Sequence, residues 1–195
     1  MRVFLISMFA LSLGLVGCAS EPPQIRHFVL TEPAFTLPES NANIRVAVGS
    51  IRLAEFLSGS SLVVEEAPNE MRLTRQHRWA DRLEQQIERQ FRQGMSQLMP
   101  NSQWVPLLST GYLRTMDYRI DFYVDAFHLN NEGQARVRVQ WFLRNTDEHF
   151  IQSGIADQQV AVEGSDYANL VSALSTAWHQ ALRDIATQIG TVNNE

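Results

Sequence analysis

The sequence predicts an α+β domain, a mostly antiparallel sheet with two long helices packed on one face. Three observations lead there. Apolar residues recur at helical spacing in two stretches and at every second position in several others, in the order strands, helix, strands, helix. The strand-like stretches are joined by short turns, and hairpin-connected strands favour antiparallel pairing. One register of the longest strand pair also satisfies both of its faces at once.

The first element is not part of that domain. Met1-Arg2 and the apolar run Val3 to Gly14 form a positive n-region and an h-region, followed by a small residue, the parts of a secretory signal. The run is shorter than the roughly 18 apolar residues of a spanning helix. It closes on Leu15-Val16-Gly17-Cys18, which holds the single cysteine. These four residues resemble the lipobox of bacterial lipoproteins. The resemblance implies cleavage between Gly17 and Cys18, a diacylglycerol on the Cys18 thiol and an acyl chain on its new α-amine. Two or more acyl chains make a stable anchor, each buried CH₂ contributing about 0.8 kcal/mol. The expected division is 1–17 signal peptide, 18–26 lipidated tether and 27–192 a single domain. The tether Ala19-Ser20-Glu21-Pro22-Pro23-Gln24 reaches only about 20 Å when extended, at roughly 3.3 Å per residue, so the domain is expected close to its membrane.

Within the domain, Arg26 to Leu30 reads as a short strand and is followed by a loop bearing Pro33 and Pro38. Ile44 to Ile51 alternates apolar with small or polar residues, as a half-buried strand does. Ser61 to Glu66 and Glu70 to Arg75 flank Ala67-Pro68-Asn69 and predict a hairpin. From Arg78 the period changes: Trp79, Leu83, Ile87, Phe91, Met95 and Leu98 predict an amphipathic helix of about five turns, stopped by Pro100.

Asp117 to His128 and Ala135 to Asn145 form the clearest hairpin, turning at Asn130-Asn131-Glu132-Gly133. The register that sets Val124 against Val139, Phe122 against Trp141 and Ile120 against Leu143 also sets Asp125 opposite Arg138, a favourable cross-strand pair. A third strand, Phe150 to Val162, follows Thr146-Asp147-Glu148, with Gly154 read as a bulge. Ser165 is the expected N-cap of the last helix, with Asp166 in its first turn. Tyr167, Leu170, Val171, Leu174, Trp178, Leu182, Ile185 and Ile189 give that helix its apolar stripe, ending at Gly190.

Composition narrows the function. The 195 residues are 45% hydrophobic and 19% charged, with a net charge of −5, values of a globular domain rather than a disordered chain. All 16 basic residues are arginine and form no basic stripe, which argues against nucleic acid. With Cys18 modified, no thiol remains for a disulfide or a cysteine metal site. The five histidines are isolated in sequence. Asp117, Asp121 and Asp125 share a strand face, but four-residue spacing separates neighbours by about 13 Å, too far to share one Ca²⁺. There is no Gly-x-Ser-x-Gly elbow and no phosphate-binding glycine loop, so no catalytic, cofactor or metal residue is assigned. The Asp-bearing face also carries Tyr123, Phe127 and Phe142, mixed with Arg119, Arg136, Arg138 and Arg144. Aromatics interleaved with arginine suit a protein contact, although an ordinary sheet surface or packing under a loop is the plainer explanation.

Three blocks in sequence resemble the ABC-type transport auxiliary lipoprotein family, in its paraquat-inducible PqiC group. They are the tether with His27-Phe28-Val29-Leu30; Ile44 to Val48 with Ala54-Glu55-Phe56-Leu57 and Leu62-Val63-Val64; and His77-Arg78-Trp79-Ala80-Asp81-Arg82-Leu83. Tyr167 to Leu174 also fits. Arg82 stands where the family usually has proline, and Phe56 where it often has tyrosine. The resemblance implies a lipoprotein on the periplasmic face of the outer membrane, with Ala19 after the cysteine agreeing with that sorting. It implies a non-enzymatic role beside an MCE-domain protein and an ABC transporter that move lipid between membranes. A homo-oligomer fits this role, since gathered weak docking faces gain avidity. Two rival expectations stand beside it: a stand-alone lipoprotein that binds lipid or peptide itself, which requires an apolar pocket in the α+β core, and an envelope enzyme, which requires a cleft with convergent polar groups that this sequence does not show.

Overall fold

Eight strands and two helices are present among the described residues of this computed structural model, which are 24–107 and 113–192. Gly17, Cys18 and the rest of the signal and lipobox lie outside them. The strands are β1 (Arg26–Phe28), β2 (Arg45–Leu53), β3 (Ser61–Ala67), β4 (Glu70–Trp79), β5 (Gln103–Pro106), β6 (Tyr118–Leu129), β7 (Gln134–Asn145) and β8 (Phe150–Ala161). The helices are α1 (Leu83–Leu98) and α2 (Tyr167–Ile189).

The three longest strands, β6, β7 and β8, form an antiparallel meander. The other edge of β6 is shared. β2 runs parallel to its first half, and β3 meets it near its end, at Val64 and Leu129. A short 3₁₀ turn, Glu55–Leu57, carries the chain from one position to the other. β5 then adds to β2, β4 to β3, and β1 to β4. The sheet is thus mixed, its long ladders antiparallel and its parallel ladders short. Both helices cover one face, α2 over β7 and β8 and α1 over β2 and β5. Ala135, Val137, Val139, Trp141 and Leu143 of β7 meet them there and are fully buried. Fold class and hairpin order follow the sequence reading.

Three local expectations are corrected and one element is added. Trp79 ends β4 instead of starting a helix, because its amide donates to the Ser60 carbonyl (2.6 Å) and its ring packs edge-on against Phe127. The helix begins four residues later, at Leu83. Gly154 lies in regular pairing opposite Trp141, while the register shift falls between Leu143 and Arg144. A Cβ at Gly154 would lie 2.8 Å from the Trp141 ring, so its role is close approach. Asp166, not Ser165, caps α2, accepting from the Ala168 amide at 3.2 Å. β5 is an addition that no periodicity announced.

The irregular segment after β1 crosses both helices, and buried backbone groups there need partners. Glutamines of α1 supply most of them. Gln86 accepts from the Leu30 amide (2.9 Å), Gln90 donates to the Thr31 carbonyl (3.0 Å), and Gln97 both accepts from Phe35 and donates to Pro33. Ser175 of α2 accepts from the Thr31 amide at 3.0 Å. Polar residues on a buried helical face therefore fasten a loop.

Candidate functional site

Strand alternation leaves one sheet face turned away from the helices. The aligned rows of that face are His128 with Arg136, Arg138 with Asp157, Tyr123 with Gln140 and Ile155, and Asp121 with Phe142. Two ionic clusters organise it. In the first, the nearly buried Asp121 accepts from the Ser50 amide (2.7 Å) and hydroxyl (3.0 Å), from Arg119 Nη2 (2.9 Å) and from Arg144 Nη1 (3.0 Å). In the second, Asp157 accepts from Arg136 Nη2 (2.9 Å) and Arg138 Nη1 (2.6 Å), while Asp125 accepts from Gln140 (2.8 Å). The Arg136 and Arg138 hydrogen bonds hold the Asp157 carboxyl below its ordinary value.

Between the clusters lie the exposed Tyr123, the half-buried Phe142 and, on β8, the exposed Phe150 and Ile155. Arg144 stacks over the Phe150 ring at 4.6 Å. Tyr123, Arg136, Arg138 and Phe142 thus occupy the face expected of them. Phe127 does not. A bulge at Asp125 pairs Ala126, not Asp125, with Arg138, and so turns Phe127 into the core opposite Val137. Asp125 still reaches Arg138 at 3.5 Å. Phe150, Ile155 and Asp157 are members that the sequence reading missed; the two-residue spacing of Ile155 and Asp157 opposite Gln140 and Arg138 was the available signal, whereas the register shift beside Phe150 takes that residue out of the period. Asp117 pairs with Arg45 (2.7 Å) instead of joining the other aspartates. Among the described residues no group of three His, Cys, Asp or Glu could hold a metal ion.

His128 closes one end of the face. It is buried under Phe56 of the 3₁₀ turn, with ring centroids 5.9 Å apart, and lies 3.9 Å from Glu65. Burial lowers its proton affinity and Arg136 adds to this, while Glu65 opposes. An unfolded chain therefore takes up this proton first on acidification, near the ordinary histidine value of about 6.5. Stability is whole above that pH and falls below it. His77 and His179 shift the same way. The urea midpoint is expected to fall between pH 7 and 5, with a shallower fall in His128→Gln; equal slopes would refute the assignment. Asp117, Asp157 and Asp166, held low by arginines, lose their contribution in a separate window, below roughly pH 4.

Residues 28–186 match the model of a family described as the ABC-type transport auxiliary lipoprotein component. The chain belongs to that family. No curated protein matches it in sequence. Among solved structures, an uncharacterised protein aligns with a TM-score of 0.68 at 18% identity, covering 85% of this chain and 99% of its own. Protein XCC0632 from Xanthomonas campestris, assigned to family DUF330, gives 0.60 at 18% identity, covering 86% and 90%. Likeness at this identity concerns the fold alone. The open face thus belongs to the auxiliary-lipoprotein domain itself, since the family match spans every strand that builds it.

Proposed function

We propose that this protein is a non-enzymatic tethering component of an ABC/MCE-type system that moves lipid between membranes, anchored on the periplasmic face of the outer membrane. The observation that carries the reading is the order of two features. Leu15-Val16-Gly17-Cys18 stands immediately ahead of a domain of the auxiliary-lipoprotein family. The anchor is the diacylglycerol and N-acyl chain on Cys18, and the reading needs no other cofactor. No helix among the described residues is long and apolar enough to cross a membrane. The open face, with Tyr123, Phe142 and Phe150 among arginine–carboxylate pairs, is the docking surface for the MCE-domain partner. Such a composition suits an interface core with a polar rim.

Full-length protein made in a Gram-negative host is expected to carry the acyl mass on Cys18, to fractionate with the outer membrane and to retain an MCE-domain protein through purification. Cys18→Ala is expected to be unmodified and released from the membrane. Tyr123→Ala with Arg138→Glu is expected to keep the anchor and lose the partner. Wild-type protein recovered unmodified and freely diffusing would sink the proposal.

A further inference from the structure

A cavity of about 300 Å³ opens beside the first turn of α2, away from the open face. Its apolar wall is made by Val64 of β3, Leu129 of β6, Val162 just past β8 and Leu170 of α2. Arg72 and Tyr167 stand at its rim and also line a neighbouring, more polar groove that runs along β4 past Arg75 and His77. Tyr167 stacks on His77 with ring centroids 3.8 Å apart, which fixes the phenol between the two spaces. An apolar chamber and a cationic groove thus share one doorway.

The charges at that doorway are unevenly satisfied. Arg72 is ion-paired with Glu66 through Nε, and its two terminal nitrogens reach only the Tyr167 hydroxyl, at 3.3 and 3.4 Å. Arg26 is paired with Asp166 at 2.9 Å, so the acid on the cavity wall is already neutralised. Arg75 makes no ion pair among the described residues. The terminal nitrogens of Arg72 therefore keep outward N–H donors from which a carboxylate can accept a charge-assisted hydrogen bond. The cavity lies at the lower end of ligand-pocket volumes, roughly 300–1,000 Å³, room for one short acyl chain and not for a two-chain lipid.

We infer that this is a binding site for a single-chain anionic amphiphile, its acyl chain among Val64, Leu129, Val162 and Leu170 and its carboxylate on Arg72. The site deepens the lipid-handling reading but does not depend on the anchor or on partner docking. Its test uses the full chain in phosphatidylcholine nanodiscs, incubated with a decanoate bearing a terminal diazirine, irradiated and mapped by mass spectrometry. Adducts are expected on the segments around Leu129, Val162 and Leu170. Val162→Trp fills the chamber and is expected to abolish them; Val162→Phe, a smaller filler, repeats the test if tryptophan unfolds the strand end. Arg72→Gln is expected to cut the decanoate yield by about tenfold, the loss of a charge-assisted hydrogen bond, and to leave a diazirine decanol unchanged. Adducts scattered over Phe150 and Ile155, or insensitive to both Val162 variants, would overturn the inference. So would equal loss of decanoate and decanol in Arg72→Gln. Loss of partner capture with cavity adducts intact would count against the docking reading alone.

Discussion

Phe91→Ala is expected to cost about 3–5 kcal/mol of folding stability and to lower the melting temperature by on the order of 10 °C. Phe91 has no exposed surface and sits where three elements meet. From α1 its ring packs edge-on against Trp104 of β5, with centroids 5.5 Å apart, and against Phe122 of β6 at 4.7 Å. Truncation would remove the dispersion contacts of two aromatic pairs and open a void that neither strand can fill without breaking its ladder. Phe150→Ala is the contrast. That side chain is 64% exposed, and a surface truncation stays within about 0.5 kcal/mol. Urea or thermal unfolding of the two variants checks both values. Similar losses would show that α1 is not seated through Phe91.

What the sequence made legible follows from which forces act locally. The β6–β7 register could be read because a period of two fixes which residues share a face, and Val124, Phe122 and Ile120 meet Val139, Trp141 and Leu143 as expected. The register fails after Val124 because a bulge leaves no mark in hydrophobic alternation: Asp125 and Ala126 are both small or polar enough to be the extra residue. For that reason alone Phe127 lies opposite Val137 in the core and not on the face its spacing predicts. Trp79 fits the α1 stripe by spacing, but pairing with Phe28 and the Ser60 carbonyl decides its backbone, and those partners are distant in sequence. β5 is too short for a period to show. The buried glutamines of α1 look like solvent-facing residues until the loop they fasten is in place. The cavity beside Tyr167 needs β3, β6 and α2 assembled before it exists, so no stretch of sequence carries it.

Asp121→Ala is expected to cost about 2–4 kcal/mol, between the loss of a single charged hydrogen bond and the breaking of a buried ion pair. The upper part of that range is discounted because Arg119 and Arg144 keep 24% and 26% side-chain exposure. The reason for a large effect lies in β2. Between Val48 and Ile51 its register against β6 shifts, so Gly49 and Ser50 stand opposite Asp121 alone. Asp121 accepts from the Ser50 amide, and a Cβ at Gly49 would meet its carboxylate at 2.4 Å. The carboxylate thus replaces a ladder acceptor and closes the bulge, while its charge holds two arginines together. Alanine would leave one amide without its acceptor and two like charges facing each other. Asp121→Asn keeps an acceptor for Ser50 but loses the charge and the second oxygen that accepts from Arg144, so its cost is expected to be smaller than that of alanine. Hydrogen exchange separates the two effects: the Ser50 amide is expected to lose protection in Asp121→Ala and to keep most of it in Asp121→Asn. Equal protection in both would mean that the bulge is held by the strands themselves. The same variants test the proposed docking surface, because releasing Arg144 frees the Phe150 ring it covers. A partner that reads this face is then expected to bind Asp121→Asn more weakly than wild type, although the fold of the variant is nearly intact.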